Sequence, residues 1–286
     1  MSRGKSQFVP LSAFVSLRKI SKVFAMFNYY ADESYNNRVM CVAGWLAPDG
    51  LWDVIEPQWT ERIEYERRMS IKKGFAPISR FHAADCSSLV NEFDRTKGWD
   101  EDRQIKFVKK LIGIIGRKRL VGVGFGVSLE GHEAFYKTLN AARNNMYRTC
   151  MVRCLELVGE QMSESWPSER VTVFHDHGKF NGAAQSAFTA IKRHDSPYRD
   201  YFVTMAPRCW QDSIALQPAD LIAYEMFKAI QSQIHAKGKL VEQNMRKSLR
   251  ALMGRKVPLF VRYVGPEMFR TMSHYLGVLP NPKRKT

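Results

Sequence analysis

Leu216-Gln217-Pro218-Ala219-Asp220-Leu221-Ile222 places one acidic residue at the opening of an otherwise apolar helix, late in a chain of 286 residues. Proline is tolerated at the first helical position, where its missing N–H has no partner to lose, so a helix is predicted over Pro218–His235. Two other acidic positions occupy comparable places. Asp32-Glu33-Ser34 follows the strand-like run Phe27–Ala31, and Asp176 follows Val171–Phe174. Carboxylates gathered at strand ends and a helix start form a site for a hard divalent cation. Mg²⁺ takes oxygen ligands and usually needs only one or two carboxylates plus substrate phosphate oxygens. A pair of such ions stabilises both the attacking and the leaving oxygen in phosphodiester cleavage.

Charge points to the same kind of substrate. The net charge is +16, and it is unevenly spread. Residues 1–25 hold five basic and no acidic residues, while residues 228–286 hold thirteen basic residues against Glu242 and Glu267. The stretch between them sums to zero. A neutral body with two basic ends suits a polyanion, because clustered Lys and Arg supply the sequence-independent part of nucleic-acid affinity. The alternative is a basic solvated surface. No apolar run approaches the roughly 20 residues that span a bilayer, which excludes an integral helical membrane protein. Five scattered cysteines without a Cys-x-x-Cys pair fit a reducing, cytoplasmic setting and exclude a disulfide framework. Residues 1–25 are expected to be a poorly ordered basic extension.

Strands are predicted at Phe27–Ala31, Val39–Leu46, Leu120–Leu129, Val171–Phe174 and Tyr201–Met205, the first two joined as a hairpin. Helices are predicted at Trp52–Met69, Asp100–Gly116, His132–Met162, Asn181–Arg193 and Pro218–His235. The glycines of Gly122-Val123-Gly124-Phe125-Gly126 precede no helix start at phosphate-loop spacing, so they are expected to permit close packing of a strand. A meander followed by alternating helices and strands implies a mixed sheet covered by helices.

Without an insertion at about 50–118, this order matches the ribonuclease-H-like fold: a five-stranded mixed sheet flanked by helices, with acids on the first strand, at the end of the fourth, and on a late helix. The chain also resembles domain-of-unknown-function family 3800, a bacterial and phage family. The motifs that carry the resemblance are Asp32-Glu33-Ser34, Phe81-His82-Ala83-Ala84-Asp85, Asp176, and Asp212-Ser213 leading into Leu216-Gln217-Pro218-Ala219-Asp220-Leu221-Ile222-Ala223. It covers roughly residues 27–232, and Tyr35 departs from the glycine the family usually has after Asp-Glu-Ser. It implies the location of an active site without naming a substrate. The expected organisation is an N-terminal extension (1–25), a ribonuclease-H-like domain (26–235) and a basic C-terminal extension (236–286).

Each candidate has a plainer reading beside the functional one. Asp32 is a metal ligand or a turn cap before Asn36-Asn37. Glu33 should face away from Asp32 by strand alternation, joining the site only if the strand ends between them. Asp176 is a ligand, with His175 and His177 sharing the opposite face; alternatively the two histidines chelate a transition metal. Asp220 is a ligand or a first-turn residue favoured by the helix dipole. His82 is a general acid or base, or forms a pair with Asp85 that pins the insertion. Asp212 and Gln217 are supporting candidates, and Glu133 or Glu156 is the helix-borne acid such folds often add. Cys150 and Cys154 are read as core.

The expected catalytic set is thus Asp32, Glu33, Asp176, Asp220 and His82, with Asp32, Asp176 and Asp220 holding Mg²⁺ or Mn²⁺. The expected activity is divalent-metal-dependent nuclease action on DNA or RNA. The alternatives are a non-catalytic nucleic-acid-binding accessory protein on the same fold, and a His/Asp metallo-phosphoesterase acting on small phosphates through His82, Asp85, His175 and His177.

Overall fold

The computed structural model describes residues 26–116, 120–138, 145–235, 246–255 and 257–265. The expected N-terminal extension lies outside them, as does much of the expected C-terminal one. Six strands form one mixed sheet: β1 (Met26–Tyr35), β2 (Val39–Pro48), β3 (Val121–Ser128), β4 (Arg170–Asp176), β5 (Phe202–Arg208) and β6 (Leu259–Val264), in the order β5-β4-β1-β2-β3-β6. β2 runs antiparallel to both β1 and β3, while β1–β4, β4–β5 and β3–β6 are parallel pairs. The helices are α1 (Asp49–Lys72), α2 (Ala83–Ser88), α3 (Glu101–Ile115), α4 (Leu129–Thr138), α5 (Met146–Ser165), α6 (Asn181–Ile191), α7 (Leu216–His235) and α8 (Lys247–Gly254).

The sheet therefore has six strands rather than the five expected. The additional one, β6, lies in the segment read as a basic extension and pairs with β3 from Gly122↔Leu259 to Val127↔Val264. The single helix expected over His132–Met162 is two, α4 and α5, with residues 139–144 outside the described set. Asn145 starts the second: its side chain accepts the Tyr147 N–H at 2.8 Å, as an asparagine N-cap does. α7 begins two residues before Pro218, at Leu216. Pro218 still sits within the first turn, where a missing N–H costs no helical hydrogen bond.

Alternation along the strands feeds two cores. Tyr29, Val42, Val123 and Val173 pack beneath α5 and α6, whereas Tyr30, Ala43, Trp45 and the insertion aromatics Trp59, Phe81 and Phe107 pack beneath α7. The β3 glycines seat α7. A Cβ at Gly122, Gly124 or Gly126 would strike Ile222, Met226 or Ile230, side chains spaced four residues apart along that helix. Trp45 then ties the helix to the sheet by donating its Nε1–H to the Pro218 carbonyl at 2.8 Å. No helix among the described residues is long and apolar enough to cross a membrane.

The insertion folds onto this face. Arg103 of α3 donates to the buried Glu66 of α1 at 3.1 Å and to Ser70 at 2.8 Å, and its guanidinium covers the Trp99 ring at 4.0 Å. A buried carboxylate is stable only when partnered, and Glu66 also accepts from Arg62. Gln217 on α7 accepts the Trp59 Nε1–H at 3.1 Å and the Phe81 N–H at 2.9 Å, so the residues just before His82 are held against the start of α7.

Candidate active site

β1 outruns its neighbour. Its last pairing with β4 is Ala31↔His175, while its pairing with β2 continues through Asp32↔Ala43 and Glu33↔Val42. Asp32 thus emerges where the parallel ladder stops, beside the end of β4 that carries Asp176. Tyr30 and Asp32 share the face covered by α7, and α7 brings Asp220. Asp32, Glu33, Asp176 and Asp220 line one cavity of about 220 Å³, together with His82 and Arg80 from the insertion and Trp210 from the β5–α7 link. Among the expected catalytic residues, the structure gathers all five around this cavity.

Glu33 reaches the cavity although β1 does not end between the two acids, as the alternation argument required. The reason is the same overrun: with no β4 partner beside residue 33, a side chain on the α5–α6 face is not walled off from the sheet's end. Asp32 is not the turn cap. Asn36 performs that task, its Oδ1 accepting the N–H groups of Arg38 and Val39, each at 2.9 Å. Asp32 Oδ1 instead accepts the N–H of Glu33 at 2.7 Å.

Asp220 lies beyond the first turn of α7, so the helix-dipole explanation for it does not hold. Its Oδ2 accepts the Ala83 N–H at 2.7 Å, capping the start of α2 from outside. One oxygen of Asp220 is thereby committed and the other is left. His82 precedes that helix, and its Nδ1 lies 2.9 Å from Asp85 Oδ2 at the cavity's edge, within ion-pair distance but without hydrogen-bond geometry.

The two other histidines sit elsewhere. His175 is buried on the opposite face of β4, its Nδ1 donating to the Asp176 carbonyl at 2.9 Å, and His177 is exposed past the strand end. Neither lines the cavity, nor does Asp212. Gln217 lines it while bracing the insertion. Of the candidate helix-borne acids, Glu156 is paired with Arg153 on α5 at 2.6 Å and Glu133 lies on α4; neither borders the cavity. Cys150 and Cys154 are buried under β2, as core residues.

Crowded carboxylates at the sheet's end resist ionisation. Burial, then the charges of Asp220, Glu33 and Asp176, raises the Asp32 carboxyl well above its ordinary range. Burial and the Asp176 charge push Glu33 up to about 7. Asp220 is raised by burial, with the His82 charge, the Ala83 N–H and Arg80 acting in the other direction. Asp176 is raised by burial and eased downward by Arg80, His177 and His82. Among the described residues no group of three or more His, Cys, Asp or Glu side chains is arranged to hold a metal ion.

These shifts have a sign that stability measurements read. Glu33 has a folded pKa above its ordinary value, so the folded protein binds more protons than the unfolded chain between about pH 4.5 and 7. Its contribution is present below that window and is lost as pH rises through it. In chelator, wild type should lose melting temperature across this window relative to Glu33→Gln. Added Mg²⁺ or Mn²⁺ should restore more of it above pH 7 than at the acid edge. Parallel melting curves for the two proteins across the window would contradict this account.

The chain matches no protein-family model and no curated protein. Among solved structures it is similar to a crystal structure of a point mutant of Bst-RNase HIII, at 12% identity and TM-score 0.38, over 89% of this chain and 76% of that one. The likeness is too slight to add to the topology already described.

Proposed function

We propose that this protein is a divalent-metal-dependent nuclease of ribonuclease-H-like architecture, and a relative of domain-of-unknown-function family 3800. The observation that carries the reading is the meeting of Asp32 from β1, Asp176 from the end of β4 and Asp220 from α7 around one cavity. They are far apart in sequence and come from three different elements. The run β3-β2-β1-β4-β5 within the sheet, with β2 alone antiparallel, supports the fold assignment.

The donor set suits Mg²⁺ or Mn²⁺. Every acid in the cavity offers hard oxygen, and each is raised in pKa by burial, most of them also by neighbouring acids, a cost that a divalent cation relieves. Asp32 and Asp220 each hold one oxygen in a backbone hydrogen bond, which orients the carboxylate and leaves the second oxygen for a cation. Among the described residues, Asp32, Asp176 and Asp220 border the cavity without being arranged as a ready ligand set, and would hold the metal once their side chains turn toward it. Such an ion supplies charge neutralisation at the scissile phosphate and acidifies a bound water. Arg80 adds a fixed positive charge for a phosphate oxygen. His82, steadied by Asp85, is placed to move the proton between water and leaving group.

Two other activities were compatible with the sequence. A His/Asp phosphoesterase needs His175 and His177 at the cavity, and they are not there. A binding module without chemistry differs from the nuclease in one experiment. Purified full-length protein, incubated with Mg²⁺ or Mn²⁺ and a panel of single-stranded, duplex and hybrid DNA and RNA, is expected to cut at least one substrate and to stop in chelator. Binding across the panel with no cleavage under any metal would overturn the nuclease reading.

A further inference from the structure

The rim of the cavity carries chemistry that cation binding leaves unused. The guanidinium of Arg80 lies over the Trp210 ring, 4.6 Å from its centroid, and both residues line the cavity. A second pair comes from different elements. Lys179 Nζ lies 4.3 Å from the centroid of Tyr35, another lining residue, and 4.9 Å from that of Phe180. Phe180 is itself stacked on the buried Tyr147, with ring centroids 4.5 Å apart and 6° between planes. Tyr35 meets the edge of Phe180, with ring centroids 5.5 Å apart, and is still 42% exposed at the end of β1. Arg80 acts on Asp176 and Asp220, and Lys179 acts on Glu33. One cation–aromatic pair therefore stands beside each part of the carboxylate cluster.

Resting on the nuclease reading of this same cavity, we propose that its substrate is a single-stranded polynucleotide: Trp210 and Tyr35 receive unpaired bases, and Arg80 and Lys179 hold the phosphates between them. Bases offer their faces to aromatic rings and guanidinium planes only when they are unpaired; inside a duplex those faces are already stacked. A protein that grips a duplex needs rows of cations along two backbones. Among the described residues, the cations set beside the cavity's rings are Arg80 and Lys179, each paired with a ring around an acidic centre. Base stacking is tolerant of sequence, so little sequence preference is expected.

Fluorescence anisotropy in chelator reads binding without cleavage. The probes are labelled oligothymidylate, labelled oligouridylate and a blunt hairpin duplex with the same number of phosphates. At least one single strand is expected to bind about ten-fold tighter than the duplex, the effect of stacking one or two bases. Trp210→Ala and Tyr35→Ala should each weaken single-strand binding roughly five-fold or more, leaving duplex binding unchanged. Trp210→Phe keeps a ring and should retain most of the affinity, even where the alanine variant loses fold. Equal or tighter binding of the duplex would overturn the proposal, as would a Tyr35→Ala protein of native melting temperature that binds single strands like wild type. Single-strand preference without cleavage in Mn²⁺ would refute the nuclease reading and leave this proposal standing. Cleavage confined to duplexes would do the reverse.

Discussion

Asp32→Asn is expected to reduce metal-dependent cleavage by at least about a thousand-fold, because metal coordination supplies several kcal/mol of transition-state stabilisation and each 1.36 kcal/mol is a factor of ten. Asparagine keeps the size of the side chain and can still accept the Glu33 N–H that Asp32 Oδ1 accepts now. It removes the charge. The carboxylate it replaces is partly buried beside Asp220, Glu33 and Asp176, all of which oppose its ionisation. Neutralising it relieves that repulsion, so the variant should fold and, in chelator, melt no lower than wild type. Binding of nucleic acid should persist. The measurements are initial cleavage rates at saturating Mn²⁺ and melting curves in chelator. A well-folded variant that cuts like wild type would sink the carboxylate mechanism. Asp176→Asn supplies an independent check, since it leaves the β1 backbone interactions untouched.

Asp32 and Asp176 were legible because each ends an apolar run that reads as a strand, and Asp220 because it is the one acid in the apolar opening of a helix. The order of strands and helices was legible for a related reason: period-2 and period-3.6 patterns of apolar residues survive in the sequence whatever the tertiary context. β6 was not legible. Leu259-Phe260-Val261-Arg262-Tyr263-Val264 is a strand-like run, yet it is surrounded by Lys and Arg and reads as part of a basic tail. Only its pairing with β3 reveals it. The break between α4 and α5 was hidden because both helices carry helical periodicity and the capping Asn145 follows another asparagine, with no proline or glycine to mark the stop. Arg80, Trp210, Tyr35 and Lys179 escaped for a different reason. They come from four separate connections or strand ends, and nothing in local sequence indicates that a cation in one loop will cover a ring in another. Asp220 shows the same limit: its partner Ala83 is 137 residues away.

The placement of Asp32 depends on how closely β1 and β2 approach, and Gly44→Ala should show it through a large loss of stability. Gly44 pairs with Ala31, one residue before Asp32. A Cβ built at Gly44 would lie 2.7 Å from the Tyr30 carbonyl carbon and 2.8 Å from the Ala31 Cα. These are backbone atoms of the neighbouring strand, so no rotamer change relieves the clash, and the strands must part. Overpacking against movable side chains typically costs about 1–3 kcal/mol; against fixed backbone the loss should be at or above the upper end of that range. Chemical or thermal unfolding measures it. Gly113→Ala is the matched control. Gly113 lies inside α3 with nothing within 4 Å of its built Cβ, and removing a helical glycine should stabilise by about 0.5–1 kcal/mol. The two substitutions are the same in chemistry and opposite in expected sign. A Gly44→Ala protein that unfolds together with wild type would mean that β1 and β2 are less closely apposed than described, and the position of Asp32 at the end of the parallel ladder would lose its physical basis.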